Sequence, residues 1–262
     1  MKFLNIYHFP LYYDIAFQYR DIPLECDFIE LMLEKQAKTE NRLILDIACG
    51  SGMHIVELGR RGYTMHGFDL SPEMIDFSTK KCKEIGLSPL LWVDDMRNFT
   101  PRGSYGMAIN MLTTFNYLTD NDDIVAHLRR VAEALSPGGI YLIELHHPRD
   151  FSDLSASVAQ EWMESRGDIT VECSFDYQPE ATDPITQIRR NKVRFEVTEG
   201  EVKKVFEEEQ EVRVVLFQEF NLFLEFEGSF ELVAANGAFR EEQPLDNSED
   251  SWRMILTLRK KL

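Results

Sequence analysis

The side chains with the most chemistry to offer gather around one glycine turn. Leu43-Ile44-Leu45-Asp46-Ile47 is a short apolar run carrying an acid, and Ala48-Cys49-Gly50-Ser51-Gly52 follows it. Glycines at 50 and 52 let the chain turn sharply and let a ligand approach main-chain atoms. A pyrophosphate would sit badly beside the Asp46 carboxylate, whereas a cationic group would be attracted or hydrogen-bonded there. Asp69 ends a second apolar run 17 residues after Gly52, close to the spacing at which a carboxylate meets two vicinal ribose hydroxyls. A turn that binds nothing, and a solvated acid at 69, are the bland alternatives. The bases on offer are His146 and His147, which can exchange a proton near neutrality.

These residues need a scaffold, and the chain spells one out in alternating strand and helix signals. Strands are expected at 43–47, 64–69, 89–93, 105–110 and 140–145. Ile55 lies in the first helix. Ser71 is a suitable N-cap with Pro72 at the first helical position. A helix ends near Leu135, with Ser136-Pro137-Gly138-Gly139 as its stop. Strand, glycine turn and helix in this order form the ligand-cradling corner of a doubly wound parallel sheet, whose ligands lie outside the carboxyl ends of the strands. A dinucleotide fingerprint would want a small residue at 55, where Ile55 stands, so an NAD-dependent oxidoreductase is the weaker reading.

The string Asp46-x-Ala48-x-Gly50-x-Gly52 resembles the first motif of the class I S-adenosylmethionine-dependent methyltransferases. Asp69, the Ser71-Pro72-Glu73-Met74 helix start, Asp94-Asp95-Met96-Arg97 and Ser136-Pro137-Gly138-Gly139 resemble that family's later segments in order and spacing. The resemblance covers about residues 42 to 145. It implies an α/β fold: a doubly wound seven-stranded sheet with an antiparallel last strand. It implies S-adenosyl-L-methionine as cofactor, held by Asp46, Ala48, Gly50, Gly52, His54, Asp69, Leu70, Met74, Asp94, Asp95, Met96, Asn110 and Met111. Within that set Asp95 is expected to take the adenine amine, with Asp94 as the register alternative.

Tyr12-Tyr13-Asp14-Ile15-Ala16-Phe17 is similar to a segment that closes the active site in small-molecule members, which adds Tyr12 and Tyr19 to the cofactor set. An aromatic helix face packed on a core is the competing account. Tyr13, His146 and His147 are the candidates for catalysis. After residue 147 the pattern changes to a period of two over 168–177, 185–197 and 203–215, which predicts an inserted antiparallel sheet of three to four strands. It would be a lid over the acceptor or a dimerisation surface. The expected units are a helical cap over 1–40, a cofactor domain over 41–147 and 216–262, and the insertion over 148–215.

Composition sets the outer limits. Net charge is −17, which disfavours nucleic acid as a partner. The four cysteines show no metal-ligand spacing, so free thiols are expected; the resemblance implies no metal, because Asn110 stands where metal-dependent members of the family carry an acid. The absence of an apolar run near ~20 residues and of a signal-peptide pattern points to a cytoplasmic protein. The expected activity is transfer of a methyl group to a nitrogen or oxygen of a small molecule. A non-catalytic, cofactor-binding assembly or regulatory protein is the alternative.

Overall fold

The computed structural model describes residues 5–151, 158–177 and 182–262. Five strands run through the first half of the chain: β1 (Leu43–Ile47), β2 (Thr64–Asp69), β3 (Leu90–Val93), β4 (Tyr105–Asn110) and β5 (Leu135–His146). Helices α1 (Pro10–Ala16) and α2 (Ile22–Gln36) precede them, and α3 (Met53–Arg60), α4 (Pro72–Glu84) and α5 (Asn121–Ala134) connect them. Four strands follow in the insertion: β6 (Val158–Arg166), β7 (Ile169–Tyr177), β8 (Ile188–Glu199) and β9 (Val202–Arg213). Helix α6 (Phe217–Glu227) and strands β10 (Phe230–Asn236) and β11 (Arg253–Lys260) complete the chain.

The main sheet has seven strands in the order β10-β11-β5-β4-β1-β2-β3. Strands β1 to β5 pair in parallel, and β11 enters antiparallel between β5 and β10. β4 is buried along its whole length, as a parallel strand covered on both faces must be. The order reverses between β1 and β4, so a crevice opens beyond their carboxyl ends. The helix starts follow the sequence signals: Ser71 caps α4 by accepting from the Met74 N–H at 3.2 Å, with Pro72 next to it.

One expected boundary moves. Ser136-Pro137-Gly138-Gly139 does not separate helix from strand but belongs to β5, which begins at Leu135 directly after α5. Gly138 sits at φ +75° and its carbonyl accepts from the Lys38 N–H at 2.8 Å; a β-carbon there would come within 2.9 Å of Lys38. These glycines let the strand begin with a register shift against β4.

The insertion is a separate four-stranded antiparallel sheet, β6-β7-β8-β9. β6 was not foreseen because its covered face is polar: Gln160, Glu164 and Arg166 share it with Trp162. Trp162, Glu164 and Arg166 have partners on α1 and the turn behind it. Gln18 donates to Glu164 at 2.9 Å, Trp162 donates to the Ala16 carbonyl at 2.6 Å, and Arg166 donates to Asp14 at 2.8 Å. The apolar face of the sheet, including Val171, Val193, Phe195 and Val197, packs on Ile15, Ala16 and Phe17.

Asp14 holds this assembly to the main sheet. Its carboxylate, 3% exposed, also accepts from Lys81 of α4 at 2.7 Å. Burial alone would raise its pKa, but the Lys81 and Arg166 cations hold it below the ordinary value. Asp14→Leu is therefore expected to loosen α1 and the inserted sheet while leaving the seven-stranded sheet folded. Hydrogen exchange would show this as faster exchange confined to α1, β6 and β7. Uniform protection in the variant would show that Asp14 ties nothing together.

All four cysteines are free and buried. No helix among the described residues is long and apolar enough to cross a membrane.

Candidate active site

The glycine turn is built from left-handed backbone. Ala48, Gly50 and Gly52 have φ of 58°, 53° and 75°. The two glycines serve different ends. A β-carbon on Gly50 would face the Tyr13 ring at 3.8 Å, so this position borders open space. One on Gly52 would stand 2.0 Å from Ser78 Oγ, so Gly52 admits α4 against the start of α3 rather than a ligand. Ile55, the residue that breaks the dinucleotide pattern, is buried with its side chain against Gly67 of β2, where an added β-carbon would meet it at 3.0 Å. The small residue needed for helix–strand contact is thus on the strand.

A cleft of about 700 Å³ opens above this turn. Ala48, Gly50, Asp69, Leu70, Met74, Asp94, Asp95 and Met96 line it, together with Tyr7, Tyr13, Phe68, Thr114 and Tyr117. Asp69 accepts from the Gly50 N–H at 2.8 Å and the Ser71 N–H at 2.9 Å, which fix its carboxylate at the end of β2. Burial raises its pKa despite these bonds. Asp94 is occupied with the loop: it accepts from Trp92 Nε1, the Asp95 N–H and the Thr100 N–H. Asp95 is paired with Arg97. The cleft therefore combines an apolar slot of Met74, Met96, Leu70 and Phe68 with carboxylates at two edges.

A second cavity continues from the first past Ala48 and Gly50. It is lined by Asp46, Ser51, Met53, His54 and Met111 and by Tyr13, Phe17, Arg20, Leu112 and Thr114. Two buried polar atoms on these walls have no hydrogen-bond partner among the described residues: Asp46 Oδ2 and Arg20 Nε. Desolvation pushes the Asp46 carboxyl up to about 7, against the pull of His54. Unpaired buried groups are costly, so an orphaned acceptor and an orphaned donor on one cavity point to a ligand bearing an amine and a carboxylate.

Arg20 was not read from the sequence. It lies between α1 and α2, where it donates to Glu25 at 2.7 Å and to both Glu144 oxygens at 3.2 and 2.8 Å. Glu144 also accepts from the Leu112 N–H at 2.7 Å and from Arg253 Nε at 3.1 Å. It was legible in principle as a lone acid inside an apolar strand. His54 donates through Nε2 to Glu25 at 2.8 Å.

A third cavity lies between the main sheet and the inserted sheet. Its walls are Tyr7, Tyr13, Tyr19 and Tyr117, the rings of Phe17, Trp162, Phe175 and Phe195, and the polar groups of Thr113, Gln160, Gln210, His146 and Arg253. Tyr13 and Thr114 border all three cavities. The Tyr7 and Tyr117 hydroxyls are 2.9 Å apart, and Gln210 donates to the latter. Leu112 and Thr113 both have positive φ, 55° and 56°, at the junction of the second and third cavities. Such strain in non-glycine residues concentrates at functional sites.

Several expected site residues lie elsewhere. Tyr12 turns its hydroxyl to Glu199 at 2.9 Å and receives Lys204 at 2.5 Å, so it fastens α1 to the inserted sheet and lines none of these cavities. Asn110 is buried and clamps β4 to the Ile47 carbonyl at 3.0 Å; Met111 after it reaches the cavity instead. Tyr19 stands at the third cavity, edge-on to Trp162, and lines neither the first cleft nor the second cavity. His147 points away: Nδ1 accepts from the Arg149 N–H at 3.1 Å and Nε2 donates to the Asp246 carbonyl at 2.9 Å. His146 faces the third cavity, but burial, reinforced by Arg253, pushes its pKa down to about 3. It is a weak proton acceptor there, since an effective base is matched to the working pH. Tyr13 is held protonated by burial, so it offers a hydroxyl rather than a phenolate.

Comparison with known proteins fits this geometry. A model described as a methyltransferase domain matches residues 44–139. YqeM of Bacillus subtilis (strain 168), named as a methyltransferase without an acceptor, is 29% identical over 214 residues, 80% of this chain and 82% of that one. The dTDP-3-amino-3,4,6-trideoxy-alpha-D-glucopyranose N,N-dimethyltransferase of Streptomyces venezuelae is 28% identical over 131 residues, 49% of this chain and 54% of that protein. A crystal structure of an S-adenosylmethionine-dependent methyltransferase from Clostridium acetobutylicum ATCC 824 superposes with a TM-score of 0.79 at 20% identity, covering 96% of this chain and 97% of that one. DesVI of Streptomyces venezuelae superposes at 0.76 and 18% identity, over 95% and 97%. The glycine corner, the sheet order and these relatives together place a methyltransferase domain in this chain, on the fold of the S-adenosylmethionine-dependent methyltransferases.

Proposed function

We propose that the chain methylates an amine nitrogen of a small molecule held in the third cavity. The observation that carries the reading is that Asp46 and Arg20, each with a buried unpartnered atom (Oδ2 and Nε), line one cavity, next to a slot with two carboxylate edges. Those features suit an α-amino acid end and a nucleoside end. In this reading Asp46 meets the ammonium and Arg20 the carboxylate. Asp69 takes the ribose hydroxyls, Asp95 the adenine amine, and Met74 and Met96 flank the ring. When bound, S-adenosylmethionine supplies an activated methyl group on a cationic sulfonium.

The chain's own task is positioning and exclusion of water. Tyr13, Leu112 and Thr114 stand where the two ends of the ligand space meet the acceptor chamber, and the aromatic walls favour a cation electrostatically. Among the described residues no strong base faces the chamber: His146 has a depressed pKa and the Tyr13 phenol stays protonated. A neutral amine attacks without prior proton removal, whereas a hydroxyl would need a base, so nitrogen is favoured. The sugar N,N-dimethyltransferases among the relatives support the same class of acceptor. The enclosed chamber and the charge of −17 favour a small molecule over nucleic acid. The inserted sheet spends its apolar face on α1, which supports a lid over a dimer surface.

Calorimetry is expected to show binding of S-adenosylhomocysteine and none of NAD. Asp69→Ala and Gly50→Val should each weaken S-adenosylhomocysteine by about tenfold or more, through lost hydrogen bonds and a disfavoured φ respectively. Labelled methyl transfer to a panel of matched amines and alcohols should label the amines only. Labelling of alcohols alone, or unchanged affinity in folded variants, would refute the assignment.

A further inference from the structure

His127 lies on α5, outside the walls of the three cavities described above, and is 0% exposed. Its Nδ1 is 2.8 Å from the Met96 carbonyl and its Nε2 is 2.7 Å from the Tyr141 hydroxyl. A carbonyl only accepts, so Nδ1 carries the proton, and Nε2 is left to accept from Tyr141. Burial favours this neutral ring by pushing its pKa down to about 4.

The carbonyl that His127 holds belongs to a tight turn. The Asn98 N–H donates to the Asp95 carbonyl at 3.1 Å, which makes Met96 and Arg97 the two central residues. The peptide between them is the one that can turn over in a β-turn while its neighbours stay put. Its two ends have separate partners. The carbonyl goes to His127, and the Arg97 N–H donates to Asp95 Oδ1 at 3.0 Å. The orientation of the Asp95 carboxylate at the cleft is thereby tied to a histidine that never reaches the cleft.

We propose that His127 is a positioning residue for base recognition, acting through the Met96–Arg97 peptide to aim Asp95 at the purine edge. The proposal rests on the reading that the Met74 and Met96 slot receives adenine. It explains why a polar ring is buried in α5 among Phe115 and Tyr141, where an apolar side chain would pack without a polar group to satisfy.

The test compares S-adenosylhomocysteine with S-inosylhomocysteine by calorimetry. Inosine places an oxygen acceptor where adenine has an amine donor, so it meets the Asp95 carboxylate as acceptor against acceptor. The wild type should prefer the adenine compound by about tenfold or more. His127→Phe keeps a planar ring but loses the donor; its preference should fall to about threefold or less, mainly through weaker binding of the adenine compound. His127→Gln retains an N–H donor and should keep more of the preference than His127→Phe. Tyr141→Phe disturbs the same core yet leaves the Met96 contact, and should keep the wild-type ratio. A His127→Phe protein that binds both compounds more weakly by the same factor, or a Tyr141→Phe protein that loses the preference, would overturn the role. If His127→Phe does not fold, folded His127→Gln, which keeps the donor, must hold a preference above about threefold and Tyr141→Phe the wild-type ratio; a collapsed ratio in either overturns the role. Equal binding of both compounds by the wild type would instead remove the adenine placement on which the role depends.

Discussion

Glu144→Leu is expected to cost about 3–5 kcal/mol of folding stability, the range for breaking a buried ion pair. The carboxylate is fully buried in β5 and accepts from two guanidinium groups and a backbone amide. Without it Arg20 keeps only Glu25, Arg253 loses its carboxylate, and the Leu112 N–H is stranded. That amide enters the two left-handed residues Leu112 and Thr113, whose strain persists only while their surroundings enforce it. The variant should therefore lose stability and also weaken S-adenosylhomocysteine, because Arg20 loses one of the carboxylates that orient it. Glu144→Gln keeps a neutral acceptor for Leu112 and should fall between wild type and leucine.

The pH dependence has a definite sign. Burial would raise the Glu144 carboxyl, but the Arg20 and Arg253 guanidiniums beside it hold it well below the ordinary value. A carboxylate with a lowered folded pKa stabilises above its unfolded pKa near ~4.3, and the contribution is lost as pH falls through the folded value. Urea titrations at pH 7 and pH 3.5 would show the wild type and the leucine variant converging in acid. A leucine variant within about 1 kcal/mol of wild type at pH 7 would mean that the hub does not hold the site together.

Local signals were read well. The Asp46–Gly52 turn, the Ser71 cap, the Asp94–Met96 segment and the hydrophobic runs of β1 to β5 each depend on a few adjacent residues. What was missed depends on distant chain segments meeting. Arg20 belongs to the cavity only because the chain between α1 and α2 folds back over the carboxyl end of β5. Tyr7 and Tyr117 meet across 110 residues of sequence. β6 escaped notice because its covered face is spent on polar partners, the opposite of the alternation that marks a strand over an apolar core. Tyr12 misled for the converse reason: adjacent helical positions point in different directions, so Tyr13 faces the cavities while Tyr12 faces the inserted sheet. Gly52 shows that a motif glycine can answer to its neighbour helix rather than to the ligand.

Asp46→Asn should separate stability from binding. Desolvation pushes the folded carboxyl up to about 7 from an ordinary value of 3.8, with His54 pulling it down and Asp69 pushing it up. Between those two values the ligand-free folded state holds a proton that the unfolded chain has released. Its stability contribution is present below pH 4 and is lost as pH rises towards and through 7, by up to a few kcal/mol when the carboxylate is fully ionised. Asparagine removes that titration. The ligand-free variant should match wild type only below pH 4, gain on it steadily as pH rises towards 7, and melt higher than wild type at pH 8. Binding runs the other way. An ammonium on the ligand needs the ionised carboxylate, so wild-type affinity for S-adenosylhomocysteine should rise about tenfold per pH unit below 7 and then level off. The variant should bind more weakly at pH 7.5 and show a flatter profile. Calorimetry between pH 5.5 and 8 beside thermal melts of the ligand-free proteins would measure both arms. Parallel affinity profiles for the two proteins would place the ammonium away from Asp46. A variant less stable than wild type at pH 8 would show that the carboxylate has a partner in the ligand-free protein. The two opposed shifts are the signature of a buried acid kept for a ligand at the expense of the fold.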